Sequence, residues 1–157
     1  MRPPLPASMP AAQAVGTGRL TVWGFDVYDA ALLAEPGFRH TDFSSQPFAL
    51  ELAYLRGFTA EAIARRSLEE IQRTAAIEPA KAAQWQRALA AAFPDVKAGD
   101  RIAGVNQPGV GVVFITNGKP TGEIRNTEFA RHFFGIWLAP STSEPKLRQA
   151  LIGKTPP

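Results

Sequence analysis

Residues 20–28 read LTVWGFDVY. Threonine, valine, tryptophan, phenylalanine and tyrosine suit a pleated strand. Gly24 sits at the centre, and glycine weakens a strand interior unless a bend or a close approach requires it. The stretch therefore predicts one long strand over residues 19–33, irregular near Gly24. Whether it packs a core or lines a pocket depends on what the rest of the chain brings against it.

Downstream, Gly37 and the polar segment from His40 to Gln46 read as a loop. Residues 48–58, FALELAYLRGF, alternate: Phe48, Leu50, Leu52, Tyr54, Arg56 and Phe58 share one face, and Ala49, Glu51 and Ala53 the other. Thr59 can cap a helix running to about Ile77, with Ile63, Ala64, Leu68 and Ile71 as its apolar stripe. On that helix Arg65, Glu69 and Arg73 are spaced four apart, and so are Arg66 and Glu70, pairs that support a solvated face. Pro79 opens a second helix that Pro94 ends. Three short strands follow, at 101–105, 110–116 and 120–124, with Asn117-Gly118 as a hairpin turn between the last two. Asn126 or Thr127 caps a helix through Trp137, apolar on most of its surface and so expected to be deeply buried. A short helix over 143–151 closes the pattern. Strands, two helices, strands, two helices is not βαβ alternation. It predicts an α+β fold, a large antiparallel sheet with helices packed on one side.

At 157 residues the chain suits one domain, able to bury its own core without staples. Cysteine is absent, which excludes disulfides, cysteine-based zinc sites and a cysteine nucleophile. The net charge of +3 comes from scattered basic residues. Arg65-Arg66 is followed at once by Glu69 and Glu70, so no clustered basic face suggests nucleic-acid binding. No apolar run reaches the roughly 18 residues of a membrane-spanning helix. Residues 1–15, MRPPLPASMPAAQAV, are too rich in proline for a packed element. They read as a flexible arm or as the remnant of an export signal, Ala12-Gln13-Ala14 having the small-x-small form of a cleavage site. The second reading places the protein in the periplasm or outside the cell; the first leaves it cytoplasmic. One domain over 16–153 and a flexible tail at 154–157 complete the division.

Known chemistry is sparse. GVNQPGVG at 104–111 lacks the Gly-Lys-Ser/Thr ending of a phosphate loop and reads as a turn. His40 and His132 share no metal-ligand spacing, and His132 follows Glu128 by four residues, the pattern of a surface pair. No metal or cofactor is expected. Asp26 and Asp29 are three apart and face opposite ways on a regular strand, so they do not form a carboxylate pair. What remains is Arg19, Thr21, Trp23, Tyr28, Tyr54 and Arg56. An arginine in an apolar cavity is costly unless it meets an anion. A carboxylate can supply that anion, with a tyrosine hydroxyl as second donor; so can an oxyanion that develops during a reaction. The alternative is that Arg56 ends its strand in solvent, with Tyr54 at the rim.

Three stretches resemble the bacterial chalcone isomerase-like proteins. They are GTGRLTVWGFDVYDAALLA at 16–34, FALELAYLRGFTAEAIARRSLEE at 48–70, and NGKPTGEIRNTEFARHFFGIWLAPSTSEPKLRQALIG at 117–153. The resemblance implies an open-faced β-sandwich, a large antiparallel sheet covered by helices. Plant enzymes of this fold close a chalcone to a flavanone, and related plant proteins bind fatty acids through an arginine and a tyrosine. Arg19 is the nearest match to the family's anion-binding arginine, and Tyr28 matches the tyrosine of its V-Y pair. Thr21 stands near the threonine of the plant enzymes. Leu32-Leu33 occupies the place of a second family tyrosine, and the rest of the plant catalytic set is not recognisable.

The resemblance thus implies a small-molecule ligand and no cofactor. In the leading reading the protein holds a small amphipathic anion such as a fatty acid, without chemistry of its own. Arg19 takes the negative end, Tyr28 or Tyr54 donates a hydrogen bond, and Trp23 and Phe25 line the apolar part. In the alternative, an isomerase acting on a chalcone-like enone, Arg19 stabilises the oxyanion and Thr21 or Tyr28 orients it. A third reading is a structural or partner-binding domain whose cleft is filled by side chains such as Trp23.

Overall fold

LTVWGFDVY is a hairpin. In the computed structural model, which describes residues 11–157, β1 (Gln13–Val22) and β2 (Phe25–Ala34) run antiparallel on either side of Trp23-Gly24. Both turn residues have positive φ, 55° at Trp23 and 80° at Gly24, the pattern of a type I′ turn. The single strand expected over 19–33 is corrected on this point. Tryptophan is bulky and rarely takes the left-handed region, so the dipeptide carries no turn signal.

A register shift between Leu20 and Thr21 then pairs Leu20 with Tyr28 but Thr21 with Asp26, leaving Val27 as the extra residue of a bulge. The bulge reverses the alternation expected for Asp26 and Asp29. Both carboxylates meet the Arg19 guanidinium, Asp26 at 3.2 Å and Asp29 at 2.7 Å.

The sheet continues in chain order through β3 (Phe48–Tyr54), β4 (Arg101–Gln107), β5 (Gly111–Thr116) and β6 (Lys119–Ile124), every neighbouring pair antiparallel. Residues His40–Ser45, expected as loop, form a 3-10 turn before β3. Between β3 and β4 come α1 (Ala60–Thr74) and α2 (Pro79–Ala92); after β6 come α3 (Thr127–Leu138) and α4 (Pro145–Ile152). The Thr59 hydroxyl caps α1 by accepting from the Ala62 N–H, and the Asn126 side chain caps α3 by accepting from the Phe129 N–H. The fold is α+β: one open antiparallel sheet, with helices on one face.

Alternation on β3 sorts the two faces. Phe48, Leu50, Leu52 and Tyr54 point into the main core with Leu68, Trp85, Phe133 and Phe134. Leu33, Ala49, Ala103, Val105 and Ile115 form a smaller cluster on the other face. Arg56 lies beyond the end of β3, with its guanidinium over the Phe25 ring at 4.6 Å.

The chain boundaries also shift from their expected places. β1 begins at Gln13, inside the segment read as a leader; residues 1–10 of that segment lie outside the described residues. The tail is tied down, since the His40 N–H donates to the Pro156 carbonyl and Arg39 Nε donates to the Pro157 carbonyl.

Glycine fixes how closely α4 approaches β1. A Cβ built on Gly16 would stand 2.2 Å from the Ala150 carbonyl oxygen, a backbone atom that cannot swing away. Gly16→Val is therefore expected to force the helix off the strand at a cost of about 3 kcal/mol, the upper range of overpacking. Thermal unfolding checks it, with an expected fall of about 10 °C for a domain of this size.

Candidate functional site

Between the inner face of the sheet and helices α1 and α3 lies a cavity of about 540 Å³. That falls in the range of roughly 300–1,000 Å³ typical of small-molecule sites. Its deep end is apolar: Leu50, Leu52, Ile102, Phe93, Phe114 and Phe133. Gly104, opposite Leu50 on β3 and Phe114 on β5, lets the Phe134 ring pack close to the sheet: a Cβ there would stand 3.4 Å from it.

Aromatic rings run from the floor to the rim. Phe93 meets Phe114 at 4.9 Å, Phe114 meets Phe133 at 5.5 Å, and Phe133 meets Trp137 at 5.2 Å. The Trp137 indole N–H then donates to the Tyr28 hydroxyl at 2.9 Å. Tyr28 is paired with Tyr54 across β2 and β3, their rings edge to face at 5.7 Å.

Both tyrosines are buried in the wall. Burial pushes the Tyr28 hydroxyl up to about 12, against the Trp137 hydrogen bond, which favours the ionised form. Tyr54 is raised by burial and then by its neighbour Tyr28. Each remains a neutral donor at physiological pH. Among the described residues the Tyr54 hydroxyl has no hydrogen-bond partner, and the Tyr28 hydroxyl accepts from Trp137 without donating onward. Both hydroxyls thus keep a proton that a group in the cavity can accept.

Charge gathers at the rim. Arg65, Arg66, Glu69 and Glu70 come from α1, and Ser143 and Glu144 from the segment before α4. Arg66 meets Glu70 at 3.2 Å and Glu69 at 3.8 Å. Glu70 also accepts from the Ser143 hydroxyl at 2.5 Å. The Arg66–Glu70 spacing is plain in the sequence as a helix pair; that it borders a cavity is set by how α1 lies on the sheet.

The residues singled out in the sequence divide. Tyr28 and Tyr54 line the cavity together. Arg19 and Thr21 do not, because alternation on β1 turns Leu20 and Val22 inward and these two away. Arg19 is held bidentately by Asp29, with Nε at 2.7 Å and Nη2 at 3.1 Å, and the Thr21 hydroxyl donates to Asp26 at 2.9 Å. The hydrogen bond from Arg19 holds the Asp29 carboxyl below its usual range. Arg19 and Thr21 therefore do not converge with Tyr28 on one volume.

Trp23 stands at the rim but is 94% exposed, so it does not fill the cleft; Phe25 is 58% exposed and outside the lining, as is Arg56. The expected His132–Glu128 pair is also corrected. Glu128 accepts from Lys81 at 2.9 Å, while His132 tilts against Trp85 with its pKa lowered, first by burial. Among the described residues no three His, Asp or Glu side chains are placed to hold a metal ion. No helix among them is long and apolar enough to cross a membrane.

Sequence comparison matches residues 13–153, nearly the whole described chain, to a family described as chalcone isomerase-like. The chain belongs to the chalcone isomerase-like family. An uncharacterized protein of Haemophilus influenzae is 29% identical over 144 residues, which is 91% of this chain and 69% of that protein. Among solved structures, a fatty-acid binding protein of Arabidopsis thaliana superposes with a TM-score of 0.70, covering 94% of this chain and 90% of the other. Identity there is 11%, so the likeness is one of fold. The chalcone isomerase-like sheet and the six strands described above are the same open antiparallel arrangement.

Proposed function

We propose that this chalcone isomerase-like protein binds a small amphipathic anion, such as a fatty acid, and holds it with its apolar chain on the cavity floor. The observation that carries the reading is the pairing of an apolar floor with two unfilled tyrosine donors near the rim. The fatty-acid binding of the Arabidopsis structure supports the ligand class. The chain end of the ligand packs among Phe93, Phe114 and Phe133. Its oxygen-bearing end accepts from Tyr54 and Tyr28 and takes Arg66 in place of Glu70. The anion contact expected of Arg19 passes to Arg66, which lies on the cavity side.

Native mass spectrometry of gently purified protein, with extraction of bound small molecules, tests this directly; a co-purifying fatty acid is the expected result. Titration with dispersed palmitate then separates the arginines. Arg66→Ala is expected to weaken binding about tenfold, the worth of one charge-assisted hydrogen bond. Arg19→Ala is expected to leave binding in place. The reverse pattern would sink the proposed orientation, and an empty protein that takes up no palmitate would sink the ligand class.

A further inference from the structure

Glu70 is not placed as a helix-surface carboxylate. Arg66 and Glu70 form an i,i+4 pair on α1, a spacing that ordinarily leaves both ends in solvent. Here the Arg66 side chain is 66% exposed and that of Glu70 only 12%. The carboxylate is drawn inward. Arg66 Nη2 lies 3.2 Å from Oε2, and the Ser143 hydroxyl donates to Oε1 at 2.5 Å. Arg73 Nε stands 3.9 Å from that same oxygen. A carboxylate taken out of water is costly unless it is paired. These partners therefore make a built anion site, and its occupant is a side chain of the protein itself.

Glu70 is also a partition. It borders both the apolar cavity and a second one of about 280 Å³, between the C-terminal turn of α1 and α3. The charge differs on the two sides. On the rim of the apolar cavity, Arg65 and Arg66 face Glu69, Glu70 and Glu144, so an arriving anion meets no excess of positive charge while Glu70 stays in place. In the second cavity, Arg73 and Arg131 are present and the lining holds no carboxylate but Glu70 among the described residues. Arg131 makes no hydrogen bond or ion pair among the described residues, and Glu128 on the same helix is held by Lys81 at 2.9 Å. His132, also in this lining, is held below its ordinary pKa first by burial and then by the Arg131 charge.

From these observations we infer that Glu70 is an internal competitor for the ligand anion, and that binding moves its carboxylate from Arg66 and Ser143 to Arg131 in the second cavity. The inference rests on the reading of the apolar cavity as the site of an amphipathic anion. The ligand carboxylate takes the two donors that Glu70 gives up, so one negative charge leaves the rim as another arrives. Glu70 borders both cavities, and a change of side-chain rotamer connects its two positions. A ligand shifts such an equilibrium only by its differential affinity for the two states, and the freed Arg66 supplies that difference.

The test is titration of dispersed palmitate, and of its uncharged alcohol hexadecanol, against wild type, E70Q, R131A and E70Q/R131A. E70Q is expected to raise palmitate affinity about tenfold, the worth of one charge-assisted hydrogen bond that no longer has to be broken. Hexadecanol brings no charge to compete, so its affinity is expected to stay the same. R131A is expected to lower palmitate affinity about fivefold in wild type and to have no effect in the E70Q background, a coupling that a merely structural role of Arg131 would not produce. Thermal unfolding confirms that the variants fold. Palmitate affinity that E70Q leaves unchanged or lowers overturns the inference, as does an equal gain for hexadecanol, or a loss at R131A that persists with E70Q. Failure of wild type and E70Q alike to take up palmitate sinks the ligand class and this inference with it, so a failure of the switch alone is read separately.

Discussion

Leu50→Phe/Leu52→Phe is expected to lose about a hundredfold in affinity for dispersed palmitate while keeping its fold. Both leucines point from β3 onto the cavity floor, two residues apart on one face. Phenylalanine in both places puts rings where the ligand chain would lie. Excluding about four methylenes, each worth about 0.8 kcal/mol, removes about 3 kcal/mol, or roughly a hundredfold in Kd. In a filled core the same exchange would strain side chains and destabilise the domain by about 1–3 kcal/mol per site. Here the added volume enters empty space, so the thermal midpoint should hold or rise. Titration of palmitate against both proteins checks the first half, and thermal unfolding the second. Undiminished palmitate binding would place the ligand elsewhere.

Alkaline instability is the second large effect. The unfolded Tyr28 hydroxyl ionises near its ordinary value of about 10, and in the folded protein burial holds it near 12. Below pH 10 both states keep the proton and the contribution is fully present. Between pH 10 and 12 the unfolded chain releases its proton first, so stability falls as pH rises, by about 3 kcal/mol in all. Tyr54, also raised, steepens the fall. Urea unfolding across this range should show the slope. Tyr28→Phe should remove the Tyr28 share of it, yet be less stable at neutral pH by about 1–3 kcal/mol, because the buried Trp137 N–H loses its acceptor. A wild-type slope no steeper than that of the variant would mean that Tyr28 ionises normally in the fold.

Much of this architecture is legible in the residues. The alternation of FALELAY, the Asn117-Gly118 turn and the caps at Thr59 and Asn126 are local signals, each satisfied by its neighbours in the chain. The turn at Trp23-Gly24 is not legible, because only its second residue is one that readily takes positive φ. The bulge at Val27 has no local signal either, and it brings Asp26 and Asp29 to one arginine. A one-residue change of register reverses every later side chain, so the face of Arg19 depends on a detail that composition does not record. The site was half visible. Tyr28 and Tyr54 stand out as polar aromatic residues on apolar strands, but the indole that meets Tyr28 lies 109 residues along the chain. Arg66 and Glu70 look like an ordinary helix pair until α1 is laid across the sheet.

The packing of α4 on β1 has a consequence for the order in which the molecule is made. β1 leaves the ribosome long before the helix whose Leu147 side chain and Ala150 backbone close against its glycines. Every strand, the first included, has a sheet neighbour adjacent in chain order. The first strand can pair with the second, but its inner flank stays open until the C-terminal helix arrives. Contacts between such distant segments form late. The part of β1 that carries Gly16 and Gly18 is therefore covered late in synthesis, and loses that cover when the C-terminal helix lifts.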